Sequence, residues 1–389
     1  MIFGIIPAYI LGQTGVSLLT ERTLAKGGLG KELFRKTRVL RLIVYIALAL
    51  LPCMGTFLPD SKAKFFCMKT GNLWLGFFLY YTGLLLLFSA VAAIISKVRK
   101  DTEKKAFKVV VHGAAVFAAV ITVYGMIHAQ NTKVVTYDIE ARQGGGSQLK
   151  VVLLADLHLS VNSLPETTEK MVEKVNACDA DVILVAGDIF TSTYGGLEDP
   201  DRYSAALSKL EAKYGVYAVA GNHDVEEALF GGFAVAPVSK AFRTKEMDDF
   251  FEACDFKMLY DESIELDDTD VIIVGRKDGE KAGDGTKKRL SAKKLLKDCD
   301  PDKLKIVLEH EPKDYEKLAK NGADMVLSGH THNGQLFPGN LVVPFFNENA
   351  YGCKTLFGMP TVVTAGTGYY GPPMRVGTDS EITVINITY

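Results

Sequence analysis

The chain has 389 residues, is 48% hydrophobic and carries a formal net charge of −2, a length that allows two or three domains. Residues 1–128 hold 16 Lys+Arg against 5 Asp+Glu, whereas the remainder holds 28 against 41. A basic apolar front joined to an acidic back argues for a membrane region followed by a globular domain. It also argues against a nucleic-acid partner, because the basic residues lie between apolar runs.

Three early segments are long and apolar enough for helices that need about 20 residues to span a bilayer: 42–58, 73–95 and 109–127. A fourth run, 2–19, is interrupted by Pro7, Gly12, Gln13 and Thr14. It lacks the basic start and small-residue cleavage site of a signal peptide, so it too is read as a span. The loop after the first run carries Arg22, Lys26, Lys31, Arg35, Lys36, Arg38 and Arg41, and the loop before the last carries Lys97, Arg99, Lys100, Lys104, Lys105 and Lys108. The loop between has only Lys62, Lys64 and Lys69. Positive charge retained in the cytoplasm puts the two richer loops inside. The expectation is a multi-pass protein of the cell membrane, with residues 1–128 in the bilayer and 129–389 extracytoplasmic. His112 and His128 fall near the ends of the last span and read as interfacial.

From Lys133 the pattern changes to short β-branched runs with turns between them. Strands are expected over 134–139, 149–155, 182–186, 216–220, 271–274, 305–308, 325–327, 361–364 and 382–387. The segment 142–147 reads as a hairpin connection between the first two. Helices are expected over 167–176, 203–214 and 314–320, and the alternation gives a layered α/β domain. Six cysteines form no CxxC pair or zinc-ribbon spacing, so buried free thiols are favoured over a disulfide.

Five of the seven histidines lie in one ordered set: Asp156-Leu157-His158, Gly187-Asp188, Gly221-Asn222-His223-Asp224, His310, and Gly329-His330-Thr331-His332. Each motif follows an apolar strand, and polar groups at the carboxyl ends of strands in an open α/β sheet meet in one crevice. Mixed imidazole, amide and carboxylate donors without thiolate suit Mn, Fe or Zn ions and argue against a purely structural zinc.

The ordered set resembles the calcineurin-like metallophosphoesterase superfamily. Residues 210–224, His310-Glu311-Pro312, 329–335 and 366–387 resemble its membrane-anchored bacterial branch. Asn333 departs from that branch, which commonly has glycine there. The resemblance implies a four-layer αββα sandwich after an all-α region of three to four transmembrane helices. Asp156, His158 and His332 would hold one metal, Asn222, His310 and His330 the other, and Asp188 would bridge them. A hydroxide between the metals would attack phosphorus. His223 would assist the leaving oxygen as the catalytic histidine, Asp224 would orient its ring, and Arg375 would contact phosphate through its planar fork. The family branch favours a phosphodiesterase, and anchoring favours an envelope-associated or lipid-linked phosphorylated substrate beside the lipid bilayer. The alternatives are an extracytoplasmic phosphomonoesterase or protein phosphatase, and a non-catalytic membrane sensor. The segment 229–242, apolar and just past His223, reads as an ordinary packed element, with a lid or membrane-dipping loop as the alternative.

Overall fold

The computed structural model describes every residue except 1, 28–30, 60, 100–102, 143–145, 236–241 and 285–287. Parts of the expected 142–147 turn and of the 229–242 segment lie outside the described residues. The chain divides into two compact units.

The first unit comprises Met1–Ile127 together with Leu229–Val235 and Gly371–Met374. Its helices are α1 (Ile2–Lys26), α2 (Lys31–Phe57), α3 (Lys62–Val98) and α4 (Glu103–Ala129, which reaches into the second unit). Among the described residues, Lys36–Phe57, Lys62–Val98 and Lys105–Ala129 are long and apolar enough to cross a membrane. Helix α1 continues through Pro7 for 25 residues, yet it is not one of these three, because Gln13, Thr14 and its glycines dilute the apolar run. Its polar residues are spent on neighbouring helices. The Tyr45 hydroxyl donates to the Gln13 side chain at 2.7 Å, Thr20 and Tyr81 share a hydroxyl contact of 2.8 Å, and Arg41 pairs with Glu21 at 3.0 Å.

Two strands of this unit, β5 (Leu229–Phe230) and β6 (Phe233–Ala234), form a short hairpin. Thr56 donates to the Leu229 carbonyl at 3.0 Å, and the Phe230 ring meets Tyr9 edge-on at 5.2 Å. The segment is therefore packed, but against the apolar helices. Gly231 and Gly232 take positive φ at its tip, and a Cβ on Gly231 would stand 2.1 Å from the Leu75 side chain.

The second unit is a sandwich of two six-stranded sheets. The first sheet has the order β1 (Lys133–Glu140), β14 (Glu381–Thr388), β2 (Gln148–Leu154), β3 (Val182–Ala186), β4 (Val216–Val219) and β7 (Lys257–Met258). The second runs β12 (Gly352–Leu356), β13 (Met359–Val363), β11 (Met325–Ser328), β10 (Leu304–Leu308), β9 (Val271–Gly275) and β8 (Glu262–Glu265). Period-two alternation sends one set of side chains to each face. Val151, Leu153, Val182 and Leu184 meet Ile273, Ile306 and Leu327 in the core between the sheets. Val152, Leu154, Ile183 and Val185 turn outward onto α5 (Pro165–Asn176), α6 (Pro200–Leu207) and α7 (Lys245–Ala253). On the far side Ile272, Val274, Val307 and Val326 pack under α8 (Ala292–Leu295) and α9 (Tyr315–Lys320). Three apolar cores between four layers, two of sheet and two of helix, make the αββα arrangement.

The hairpin expected between β1 and β2 does not form. Strand β14 lies between them, parallel to β1 and antiparallel to β2. Its apolar residues alternate between two cores, Ile382 and Val384 on one side and Ile385 and Ile387 on the other. A strand buried on both faces is stabilised by a neighbour on each edge. The helix expected over 203–214 starts earlier, at Pro200, and stops at Leu207. Asn176 captures the following backbone, accepting from Glu211 N at 3.0 Å and donating to the Lys209 carbonyl at 2.6 Å. Helix α7 was not foreseen, although Met247, Phe250 and Phe251 bury its apolar face and Thr244 caps it.

Candidate metal centre

Strands β2, β3 and β4 run parallel in one sheet, as do β9, β10 and β11 in the other. Their carboxyl ends carry the motifs, so the loops after β2, β3, β4, β10 and β11 converge. Backbone bonds bind these loops together: Asp156 N donates to the Gly187 carbonyl at 2.9 Å, His158 N to that of Asp188 at 3.0 Å, and Gly329 N to that of His310 at 3.1 Å. Asp156, His158, Asp188, His330 and His332 all adopt positive φ, between 46° and 75°. Non-glycine residues rarely hold that conformation, and it recurs where the fold must aim a side chain. Asn333, the departure from the resembled pattern, sits at φ 51°, a region asparagine tolerates well.

Two donor groups result. Asp156, His158 and His332 present atoms within 4.8 Å of one another, as do Asp188, His310 and His330. Asn222 joins the second group, its Oδ1 lying 3.1 Å from His330 Nδ1. Asp188 touches both, with Oδ2 3.0 Å from His310 Nε2 and 3.7 Å from His158 Nε2. All these donors are buried except His330, which is partly so.

The tautomers can be read from neighbouring groups. The Thr191 hydroxyl donates to the His158 carbonyl, so it accepts the Nδ1 proton of His158 at 3.2 Å. His310 donates from Nδ1 to the Ala186 carbonyl at 2.7 Å. Both rings therefore turn Nε2 inward, the usual device for orienting a metal-binding imidazole. Burial pushes the pKa of His158 down to about 3 and that of His330 down to about 4, keeping their lone pairs free. His158 Nε2 and His332 Nε2 face each other at 2.9 Å. Two imidazole nitrogens that close need a proton or a cation between them, so the donor set fits divalent metal.

Charge within the cluster is uneven. Burial opposes ionisation of Asp188, but His310, His223 and His158 together hold its carboxyl well below the usual range. Burial similarly opposes the charged form of His310, yet Asp188 outweighs it and holds the imidazole well above its ordinary value. Asp156 is pushed up to about 7, chiefly by burial, while its two oxygens accept from His330 N at 3.0 and 3.1 Å.

His223 lies beside this cluster, its ring centre 5.6 Å from that of His158, and burial lowers its pKa to about 4. Asp224 and Arg375 both have backbone partners. Asp224 is fully buried and accepts from Gly221 N and Phe190 N, each at 2.8 Å. It braces the turn, and the ring nitrogen of His223 is met by Ser192 instead, at 2.8 Å. Arg375 is likewise fully buried, donating to the carbonyls of Ala365, Gly366, Gly368 and His332. Its fork is engaged by loop backbone. Tyr370, whose ring centre is 4.4 Å from that of His223, was not expected in the site, whereas Thr191 and Ser192 open a polar, turn-rich loop, 191–201, of the kind that shapes substrate pockets.

Paired sheets whose carboxyl edges meet in a buried nitrogen–oxygen donor set define a metal-dependent hydrolase. Residues 149–334 match the family described as calcineurin-like phosphoesterase. A transmembrane protein with metallophosphoesterase domain from Danio rerio is 30% identical over 380 residues, covering 90% of this chain and 80% of its own. An uncharacterized metallophosphoesterase from Campylobacter jejuni is 25% identical, covering 100% and 98%. Another, from Aquifex aeolicus, is 28% identical, covering 69% and 97%. The chain belongs to the calcineurin-like metallophosphoesterase family and is a metal-dependent phosphoesterase. Its relatives span bacteria and animals, so the likeness is not confined to a bacterial branch.

Proposed function

We propose that the protein is a membrane-anchored phosphodiesterase that uses two divalent ions and faces away from the cytoplasm. The observation that carries this reading is the position of Asp188, whose one oxygen lies within 3.7 Å of an imidazole nitrogen in each donor group. Asp156, His158 and His332 would hold one ion, Asn222, His310 and His330 the other, with Asp188 shared. Bound there, the ions supply Lewis acidity toward phosphoryl oxygens and activate a water. His158 and His310 keep their orientation through Thr191 and the Ala186 carbonyl. Once protonated beside substrate, His223 offers its Nε2 proton to the leaving oxygen. Burial keeps this ring neutral at rest, and an arriving anionic ester favours its protonated form.

The diesterase preference rests on the family resemblance and agrees with the commitment of Arg375. With that guanidinium turned to backbone carbonyls, a singly charged diester suits the site better than a doubly charged monoester. A lipid-associated substrate is supported by exposed apolar residues in the second unit. Leu341, Phe345 and Phe346, just past the His330–His332 motif, are 58%, 84% and 79% exposed, a grouping typical of interaction surfaces. The hairpin of β5 and β6, beginning at Leu229, packs on helices apolar enough to span a membrane.

The test uses the full chain in detergent with Mn²⁺. Bis-(p-nitrophenyl) phosphate is expected to turn over faster than p-nitrophenyl phosphate, and the reverse order would overturn the diesterase reading. A panel of lipid-linked and nucleotide diesters would then identify the leaving alcohol.

A further inference from the structure

Behind His223 lies a buried chain of polar groups. Ser192 Oγ stands 2.8 Å from His223 Nδ1 and 3.4 Å from Glu227 Oε2, and Lys281 Nζ donates to the same Glu227 oxygen. Ser192 is fully buried, and Glu227 and Lys281 expose only 6% and 7%. The backbone clamps the same residues: Ser192 N donates to the His223 carbonyl at 2.9 Å, and Glu227 N to that of Ser192 at 2.8 Å. Asp278 shapes the turn that delivers Lys281, its Oδ1 accepting from Glu280 N and Lys281 N at 2.8 and 2.7 Å.

Burying a lysine and a glutamate costs several kcal/mol per ion before their attraction is counted, so such a pair is weak evidence of a stabilising role. Here its geometry has another consequence. A carboxylate only accepts, so the Ser192 hydroxyl donates to Glu227 and turns a lone pair to the Nδ1 proton of His223. Tyr370 covers the ring at a 31° tilt. Rotation about χ2 is thereby blocked, and Nε2 is the nitrogen left for substrate.

We infer that Lys281, Glu227 and Ser192 form a positioning relay that fixes the tautomer and direction of His223. This inference rests on the phosphoesterase reading for its catalytic consequence. When the P–O bond breaks, its electron pair goes to the leaving oxygen, which takes the Nε2 proton. The Nδ1 proton stays on His223, hydrogen-bonded to Ser192 Oγ, and no proton travels along the relay.

The relay is tested in the full chain in detergent. Ser192→Ala is expected to lower kcat for a methyl p-nitrophenyl-type diester series in proportion to the basicity of the leaving alcohol. The loss is roughly 10-fold to 100-fold for alkyl leaving groups, the scale of losing a supporting partner, and at least several-fold smaller for nitrophenolate, with KM nearly constant. The double variant Glu227→Gln/Lys281→Met, which removes both charges together, should show the same leaving-group pattern. Equal losses for all leaving groups, or a loss confined to KM, would overturn the relay. A second measurement needs no turnover: in ¹⁵N-histidine-labelled protein loaded with Zn²⁺, the His223 Nδ1–H resonance should be present and should shift or exchange away in Ser192→Ala. An unchanged resonance overturns the relay, whereas wild-type protein that hydrolyses no ester sinks the phosphoesterase reading and leaves the resonance to judge the relay.

Discussion

Individual residues in this centre are aimed by backbone that most side chains avoid. Asp156, His158 and Asp188 hold φ of 55°, 46° and 53°, and each is secured by bonds to a neighbouring motif loop. Arg375 provides much of that security from beneath. Burial lowers its pKa to about 10, still far enough above neutrality to leave it charged, and carbonyls of Ala365, Gly366, Gly368 and His332 converge on it. Its replacement should therefore act through stability. Arg375→Met is expected to cost on the order of 3 kcal/mol, since charge-assisted bonds to buried carbonyls are lost. A melting curve would register that cost, with KM for the remaining folded enzyme little changed. A large rise in KM at unchanged melting temperature would instead return Arg375 to phosphate binding.

Elements meet here through their ends. The strand-end turns approach one another so closely that a methyl group has no room. A Cβ on Gly221 would lie 2.2 Å from Asp188 Oδ1, and one on Gly187 would lie 2.5 Å from Gly221 N. Because Asp188 is the carboxylate common to both donor groups, Gly221→Ala should displace it. Metal content is expected to fall, with activity down ~100-fold, the scale on which a shift of about 1 Å reduces catalysis. Elemental analysis of the purified variant checks this, and full metal occupancy with full activity would contradict it. Strand β14 works at the same scale, since it brings residues from the far end of the chain between β1 and β2.

At the scale of the molecule, charge in the polar loops bears on the side of the membrane that the enzyme serves. The loops around 22–41 and 97–108 are rich in Lys and Arg, whereas the intervening loop has three lysines. Basic loops are retained in the cytoplasm, so the chain after α4 is expected outside. A reporter fused after Tyr389 should be active only if exported, and strong cytoplasmic signal would reverse the orientation.

The sequence by itself determined the layered α/β class, the apolar helices and the ordered donor residues. These depend on periodicity and on residue types whose chemistry is local: an apolar strand followed by a glycine and a ligand reads the same in any context. It could not determine strand order, because β1 and β14 are paired across nearly the whole phosphoesterase unit and no short-range pattern encodes that distance. Nor could it assign partners to single polar side chains. Asp224 is adjacent to His223 in sequence but points into a turn, whereas Ser192 comes from another loop and meets the ring. Only the tertiary structure decides such pairings, because a hydrogen bond depends on where two atoms are brought in space.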